Sequence, residues 1–313
     1  MGKYILKRIL VAIPVLFGIS LIAFFIVRII PGDTVTAMLG NNYNEEQAAI
    51  LRSKYGLDKP LFIQYGIWLG NVIQGDFGYS YFTNKPVLST IIERLPVTVE
   101  LTIISVFCAV LMAIPLGTIS ALKRNSSLDY GASFFGLLGI SIPNFWLGTL
   151  MILFLSLVAG LFPSGGFVPL NEGLFDNLKS LILPSIALGS AVGAVAMRMT
   201  RSSMLEVLGQ EYIKMARAKG VNNRRMIWKH ALKNALIPVV TVIGIQTGYL
   251  LGGSVVVEQI FSLPGIGRLA LEAITNRDYA LLQGTILFIA SAFVIINLVV
   301  DVIYGYLNPR IRY

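Results

Sequence analysis

At 313 residues the chain is long enough for one or two water-soluble domains, yet 55% of it is hydrophobic, only 13% is charged, and its mean hydropathy is +0.74. Soluble domains carry about a quarter of their residues as charges, so the composition excludes an ordinary soluble protein and indicates a polytopic membrane one. The net charge of +9 does not point to nucleic acid, because the cations gather at the ends of apolar runs. Cys108 is the sole cysteine and His230 the sole histidine, which excludes a disulfide framework and offers no metal-ligating set.

The basic start M-G-K-Y-I-L-K-R leads into Ile9–Val27, which is uncharged. It is too long for a signal-peptide core, which runs about 7 to 15 residues, and no A-x-A pattern follows. We read it as a first span over about 9–30, with Pro14 near its start, where proline costs least. Residues 31–97 are amphipathic and mixed in charge and form an external segment. In it Asn44 and Gln47 resemble a capping box opening a short helix that Gly56 ends. Phe62, Tyr65, Leu69 and Val72 mark a second helix, and Gly75-Asp76-Phe77-Gly78 a turn.

Five further apolar runs predict spans at about 101–122, 134–160, 181–200, 236–257 and 279–303, most of them near the twenty residues that a helix needs to cross. The third lies in a stretch without charge between Asp129 and Glu172, broken at Pro163-Ser164-Gly165-Gly166. The expected fold is therefore all-α, a single six-span membrane domain over 1–313.

Between the fourth and fifth spans lies a polar run, 201–235, with the cations Arg201, Lys214, Arg217, Lys219, Arg224, Arg225, Lys229 and Lys233. Each charge costs about 2.5–3.5 kcal/mol at a bilayer centre, so this run stays in water. Leu205, Leu208, Tyr212 and Met215 recur at helical spacing and predict one stripe. Gly220 ends that helix, and Asn222 or Asn223 caps the next. In the second helix Ile227, Ala231 and Ala235 line one face and Trp228 and Leu232 the neighbouring one. A helical hairpin with two apolar stripes, pinned between spans, suits contact with another protein. Orientation alone needs only the charges.

Six spans put both termini on one side. With that side cytoplasmic, Lys3, Lys7, Arg8, Lys123, Arg124, Arg198, Arg310, Arg312 and the cations of the hairpin all lie inside, and most of the acids lie outside. The positive-inside rule thus makes the hairpin and both termini cytoplasmic.

Several motifs in order resemble one family: P-G-D at 31–33, K-Y-G-L-D-K-P-L at 54–61, G-D-F-G-Y-S at 75–80, S-I-P-N-F-W-L-G at 141–148 and E-Y-I-K-M-A-R-A-K-G-V at 211–221. H-A-L-K-N-A-L-I-P-V-V follows at 230–240, then L-L-G-G-S-V-V-V-E at 250–258, P-G-I-G-R at 264–268 and N-P-R-I-R-Y at the end. Together they resemble the inner-membrane permeases of dipeptide/oligopeptide/nickel-class ABC importers, glutathione and dipeptide permeases above all. The resemblance implies a type I ABC importer fold in the bacterial inner membrane. It also implies that the hairpin is the EAA loop, whose coupling helix sits in a cleft of an ATPase subunit. Ala216, Arg217, Ala218, Lys219 and Gly220 fall on its tip, Glu211, Tyr212 and His230 lie in the matching motifs around it, and Arg224 lies between those motifs and is counted with the coupling residues. Lys214 stands where the general motif has glutamate, and Lys233 where it often has proline.

The implied partners are a second, related permease in a heterodimer, two cytoplasmic ATPases that use ATP and Mg, and an extracytoplasmic solute-binding protein delivering a dipeptide, oligopeptide or glutathione. The resemblance implies no cofactor and no catalysis in this chain itself. Its class leaves nickel or metal chelates as the alternative cargo. An ion-coupled carrier is the rival function, but no inverted repeat and no chain of acids or histidines supports it. No G-x-x-x-x-G-K-[ST] phosphate loop occurs, so the chain cannot supply the ATPase itself. The polar pore or packing candidates within spans are Asn144, Gln246, Asn297 and Asp301, with Asp301 placed to form an ion pair. Pro238 and the glycines Gly244, Gly248, Gly252 and Gly253 mark the fifth span as one that bends or packs closely. The external segment either touches the binding protein or only covers the helix ends.

Overall fold

The computed structural model describes residues 2–29, 35, 39, 44–54, 56–252 and 254–307. The P-G-D motif, Gly253 and the N-P-R-I-R-Y tail lie outside them. Helix α1 (Gly2–Ile29) starts well before the expected span, so Pro14 lies inside it rather than near its first turn. Two short helices follow, α2 (Glu45–Lys54) and α3 (Leu61–Ile73). Asn44 caps α2 by accepting the Glu46 amide at 3.0 Å. Tyr65 and Trp68 turn α3 onto α1, where they meet Phe24 edge-on or tilted, and the Tyr65 hydroxyl hydrogen-bonds with Ser20 at 2.7 Å.

The next helix, α4 (Val87–Leu122), begins long before the apolar run at 101 and carries Pro96 and Pro115 within it. It packs along most of its length on α7 (Leu174–Leu208). Both are longer than the lipid-soluble stretches that announced them, and their extra turns bury side chains such as Val87, Ile91, Asn177, Ser180 and Met204 against other parts of the protein. The two backbones come close enough that a Cβ on Gly189 would stand 2.6 Å from the Ser105 carbonyl oxygen. Without water to drive apolar association, such small-residue contacts are what hold membrane helices together.

The expected third span is not one straight helix. It is α5 (Ser127–Ser141) and α6 (Asn144–Val158), bent by 101° at Ile142–Pro143. Pro143 biases the residue before it away from helical angles, and Ile142 is extended. The fifth span is α9 (Asn223–Leu251), which runs unbroken out of the hairpin. It stops at Leu251 rather than 257, and Val255–Val257 belong instead to a separate helix, α10 (Val255–Ile260). Then come α11 (Ile266–Thr275) and the last span, α12 (Tyr279–Leu307). A Cβ on Gly244 would run into Val300, and one on Gly248 would lie 2.8 Å from the Phe293 ring. These glycines serve close packing of α9 on α12.

The segment before α4 is locked by its own motif. Asp76 accepts the Gly78 amide at 2.9 Å, and Gly78 takes φ +81. Ser80, fully buried, donates to Asp278 at 2.5 Å. Asp278 also accepts the Leu281 amide at 3.1 Å in the first turn of α12.

Candidate functional site

The polar run does not begin as a free hairpin. Arg201–Leu208 are the last turns of α7, and the predicted stripe of Leu205, Leu208, Tyr212 and Met215 is interrupted at Gly209–Gln210, before α8 (Glu211–Ala218). The break rotates α8. Ile213, absent from the predicted stripe, is the residue buried at 1% exposure, whereas Tyr212 (42%) and Met215 (59%) are exposed.

The tip forms as its sequence demands. Gly220 has φ +75, its amide bonds the Arg217 carbonyl, and the Val221 amide bonds that of Ala216, 3.2 Å away. These bonds satisfy carbonyls that the helix end leaves open. Asn222 is the cap of the second arm, accepting the Arg224 amide at 2.9 Å.

In α9 the turn Met226–Ala231 is π-helical. Residues five apart diverge by about 140° on an α-helix of 3.6 residues per turn, but a wider turn brings them nearer one face. Met226 (1%) and Ala231 (0%) are accordingly both buried, and Trp228 is 56% exposed. The expected face of Ile227, Ala231 and Ala235 does pack inward, with Met226 added to it, whereas Trp228 leaves the neighbouring face it was assigned with Leu232. A π-turn of this kind often marks a functional site.

Ile213, Met226, Ala231, Leu232 and Ala235 join Met204 of α7 and Ala121 of α4 in one apolar cluster, so the hairpin is seated on the ends of the central helix pair. Asn234, which the sequence reading passed over, latches the two arms. Its Nδ2 donates to Tyr212 Oη at 2.7 Å and to the His230 carbonyl at 3.2 Å.

Of the candidate coupling residues, Glu211 pairs with Lys214 at 2.7 Å. Ala216 and His230 are half-buried, and Arg217, Ala218, Lys219, Gly220 and Arg224 are exposed. Arg224, Arg225, Trp228 and Lys229 line an open cleft of about 760 Å³ with Asn222. The hairpin therefore offers a basic surface carrying exposed Met215 and Trp228 on a buried apolar base.

The pore candidates are not brought together. Asn144, Gln246 and Asn297 lie half-buried on α6, α9 and α12 and share no hydrogen bond among the described residues. Asn297 donates to the Phe293 carbonyl of its own helix at 2.9 Å. Asp301 pairs with Arg8 at 2.7 Å.

Known proteins decide what kind of chain builds this arrangement. The family described as binding-protein-dependent transport system inner membrane component matches residues 113–313, and its N-terminal counterpart matches residues 1–102. The chain belongs to this family.

The chain is 42% identical to the oligopeptide transport system permease AppB of Bacillus subtilis and 45% identical to the dipeptide permease DppB of Haemophilus influenzae, and it is 42% identical to the glutathione permease GsiC of Escherichia coli. In each case the match covers the whole of both chains. In fold it resembles the MetNI methionine ABC transporter in an inward-facing conformation, with a TM-score of 0.57 at 20% identity over 71% of this chain and 97% of that one. The expected all-α importer-permease fold is thus present, and the chain is a multi-pass membrane component of a binding-protein-dependent transport system.

Proposed function

We propose that this permease forms half of the translocation path of an ATP-driven importer of peptide-like solutes, and that the hairpin transmits the work of a cytoplasmic ATPase. The observation that carries the coupling role is the exposure of Met215 and Trp228 beside Arg217, Lys219 and Arg224, on a hairpin whose other face is buried on the ends of α4 and α7. An exposed surface that combines large apolar side chains with arginine and lysine suits docking into a protein cleft. Because the base is packed on the two central helices, a push on the tip displaces them as a unit.

Full-length relatives named for oligopeptide, dipeptide and glutathione transport support the solute class. The charge bias supports a cytoplasmic hairpin. The Arg8–Asp301 pair supports placing both chain ends beside that hairpin. A second related permease, two ATPase subunits using ATP and Mg, and an external solute-binding protein complete the proposed assembly.

Gly220→Asp and Trp228→Ala test the coupling role. Membrane abundance of the permease should stay near wild type, while ATPase subunits are lost on co-purification and uptake of labelled dipeptide falls at least tenfold. Normal uptake in both variants would overturn the assignment.

A further inference from the structure

At the end of the bundle opposite the hairpin, a cavity of about 550 Å³ is lined by Arg28, Trp68, Asn71, Asp76, Tyr279 and Gln283, among others, between α1, α3 and the start of α12. Arg28 sets its depth in the membrane. The uncharged stretch Ile9–Val27 rises about 28 Å at 1.5 Å per residue, close to the roughly 30 Å of a hydrocarbon core. The guanidinium therefore stands at the level of the lipid phosphates in that leaflet.

It is held ready there. Gln64 Oε1 accepts from Nη2 at 2.9 Å and from Nε at 3.3 Å, the Phe24 carbonyl accepts from Nη1 at 3.2 Å, and the Phe24 ring lies 3.5 Å from Cζ. A guanidinium has five N–H donors and these contacts use three, so among the described residues one hydrogen on each terminal nitrogen is left for an anion.

Two residues of its lining carry unmet polar groups: Tyr279 is 4% exposed and Gln283 7%, yet among the described residues Tyr279 Oη and Gln283 Nε2 have no hydrogen-bond partner, whereas buried polar groups are normally satisfied. Asp76 uses Oδ1 to accept the Gly78 amide at 2.9 Å, which leaves Oδ2 available as an acceptor. Leu61 and Ile67 in its lining are exposed and apolar, as are Phe62 and Ile63 on the same helix, α3, and Ile22, Phe25 and Ile26 on α1, the kind of surface that acyl chains cover.

We infer that this cavity holds a glycerophospholipid with a primary-amine headgroup, its phosphate on Arg28 and its ammonium on Asp76. Arginine binds phosphate through paired N–H donors, and the depth and apolar flanks favour a lipid over a free solute of the same charge pattern. The bound lipid would fix α3 and the 75–86 loop to the first and last spans.

Native mass spectrometry of the full-length chain in detergent tests this, with titration by phosphatidylethanolamine, phosphatidylcholine or glycerophosphoethanolamine. Phosphatidylethanolamine should be retained in preference to phosphatidylcholine. Retention should fall at least tenfold in Arg28→Gln, and Asp76→Asn should erase the preference between the two lipids. Gln64→Leu breaks the same internal contact but keeps the cation, so it should retain lipid. Equal loss in Gln64→Leu and Arg28→Gln, or no loss in Arg28→Gln, would overturn the site. Glycerophosphoethanolamine binding as tightly as the lipid would overturn the lipid assignment in favour of a soluble zwitterion.

Discussion

Asp129 and Arg201, 72 positions apart, meet in a two-point contact in which Nε donates to Oδ1 at 2.7 Å and Nη2 to Oδ2 at 2.9 Å. Ser120 donates to the same carboxylate at 2.5 Å and the Asn125 amide at 2.9 Å, so three segments converge on one buried acid. Arg201 thus ties α7 to α5 and to the end of α4 and is not one of the hairpin's free cations.

Removing one partner of such a pair strands a buried charge, a loss of about 3 kcal/mol or more. Arg201→Met should lower the thermal midpoint of the purified permease by several degrees. Adding Asp129→Asn should recover part of the loss, because the two sites are coupled. Simple additivity of the two substitutions in a thermal-shift assay would contradict this role.

The contact between α9 and α12 leaves no room at Gly244 or Gly248. Overpacking a tight core costs about 1–3 kcal/mol, so Gly244→Leu should destabilise the permease and reduce its yield. Gly244→Ala should be rescued by Val300→Ala, which opens the space that the new methyl needs. Failure of that pair to restore the melting temperature would show that Gly244 serves bending instead.

Glu258 is fully buried beyond the end of the fifth span. It accepts the Arg268 amide at 2.8 Å while Thr98 accepts that of Ile266 at 2.9 Å, so together they satisfy the first turn of α11. An amide left without its acceptor in a buried site costs about 1–3 kcal/mol. Glu258→Ala should therefore expose Ile266–Thr275 to faster hydrogen exchange, with Glu258→Gln intermediate because one acceptor oxygen remains. Unchanged exchange in the alanine variant would remove Glu258 from this role.

Asp278 caps α12 and receives the Ser80 hydroxyl. Loss of a helix cap costs about 1 kcal/mol, and here it also frees the 75–86 loop. Asp278→Ala should speed amide exchange across 78–86 and leave the hairpin at 211–231 unchanged. A change confined to the hairpin would mean that the two ends are linked by another route.

Much of the site was legible because its signals are local. Gly220 announces a left-handed turn and Asn222 a cap wherever they sit, and the charges of Arg217, Lys219 and Arg224 forbid burial in lipid. The faces of the hairpin were legible only in part: Ala231, Leu232 and Ala235 are buried and Leu205, Leu208 and Ile227 pack against them, but other positions face differently than expected. The break at Gly209–Gln210 and the π-turn at Met226–Ala231 both change the angular phase on which stripe reading depends, so Ile213 and Met226 faced inward where Tyr212, Met215 and Trp228 were expected. Asn234 was unreadable because its partner, Tyr212, lies on the opposite arm.

By itself the sequence determined that this is a polytopic helical membrane protein, where its water-exposed hairpin lies, and to which transport family its ordered motifs point. Hydrophobic run length, charge and turn chemistry act over a few residues, so they can be read without knowing the fold. Only the tertiary structure decided that α5 and α6 are bent apart, that α4 and α7 extend far beyond their apolar runs, and that Arg201 belongs to Asp129. Those outcomes depend on which distant surface a helix meets, because a turn or a charge is retained at the membrane edge when another chain segment, rather than lipid, receives it.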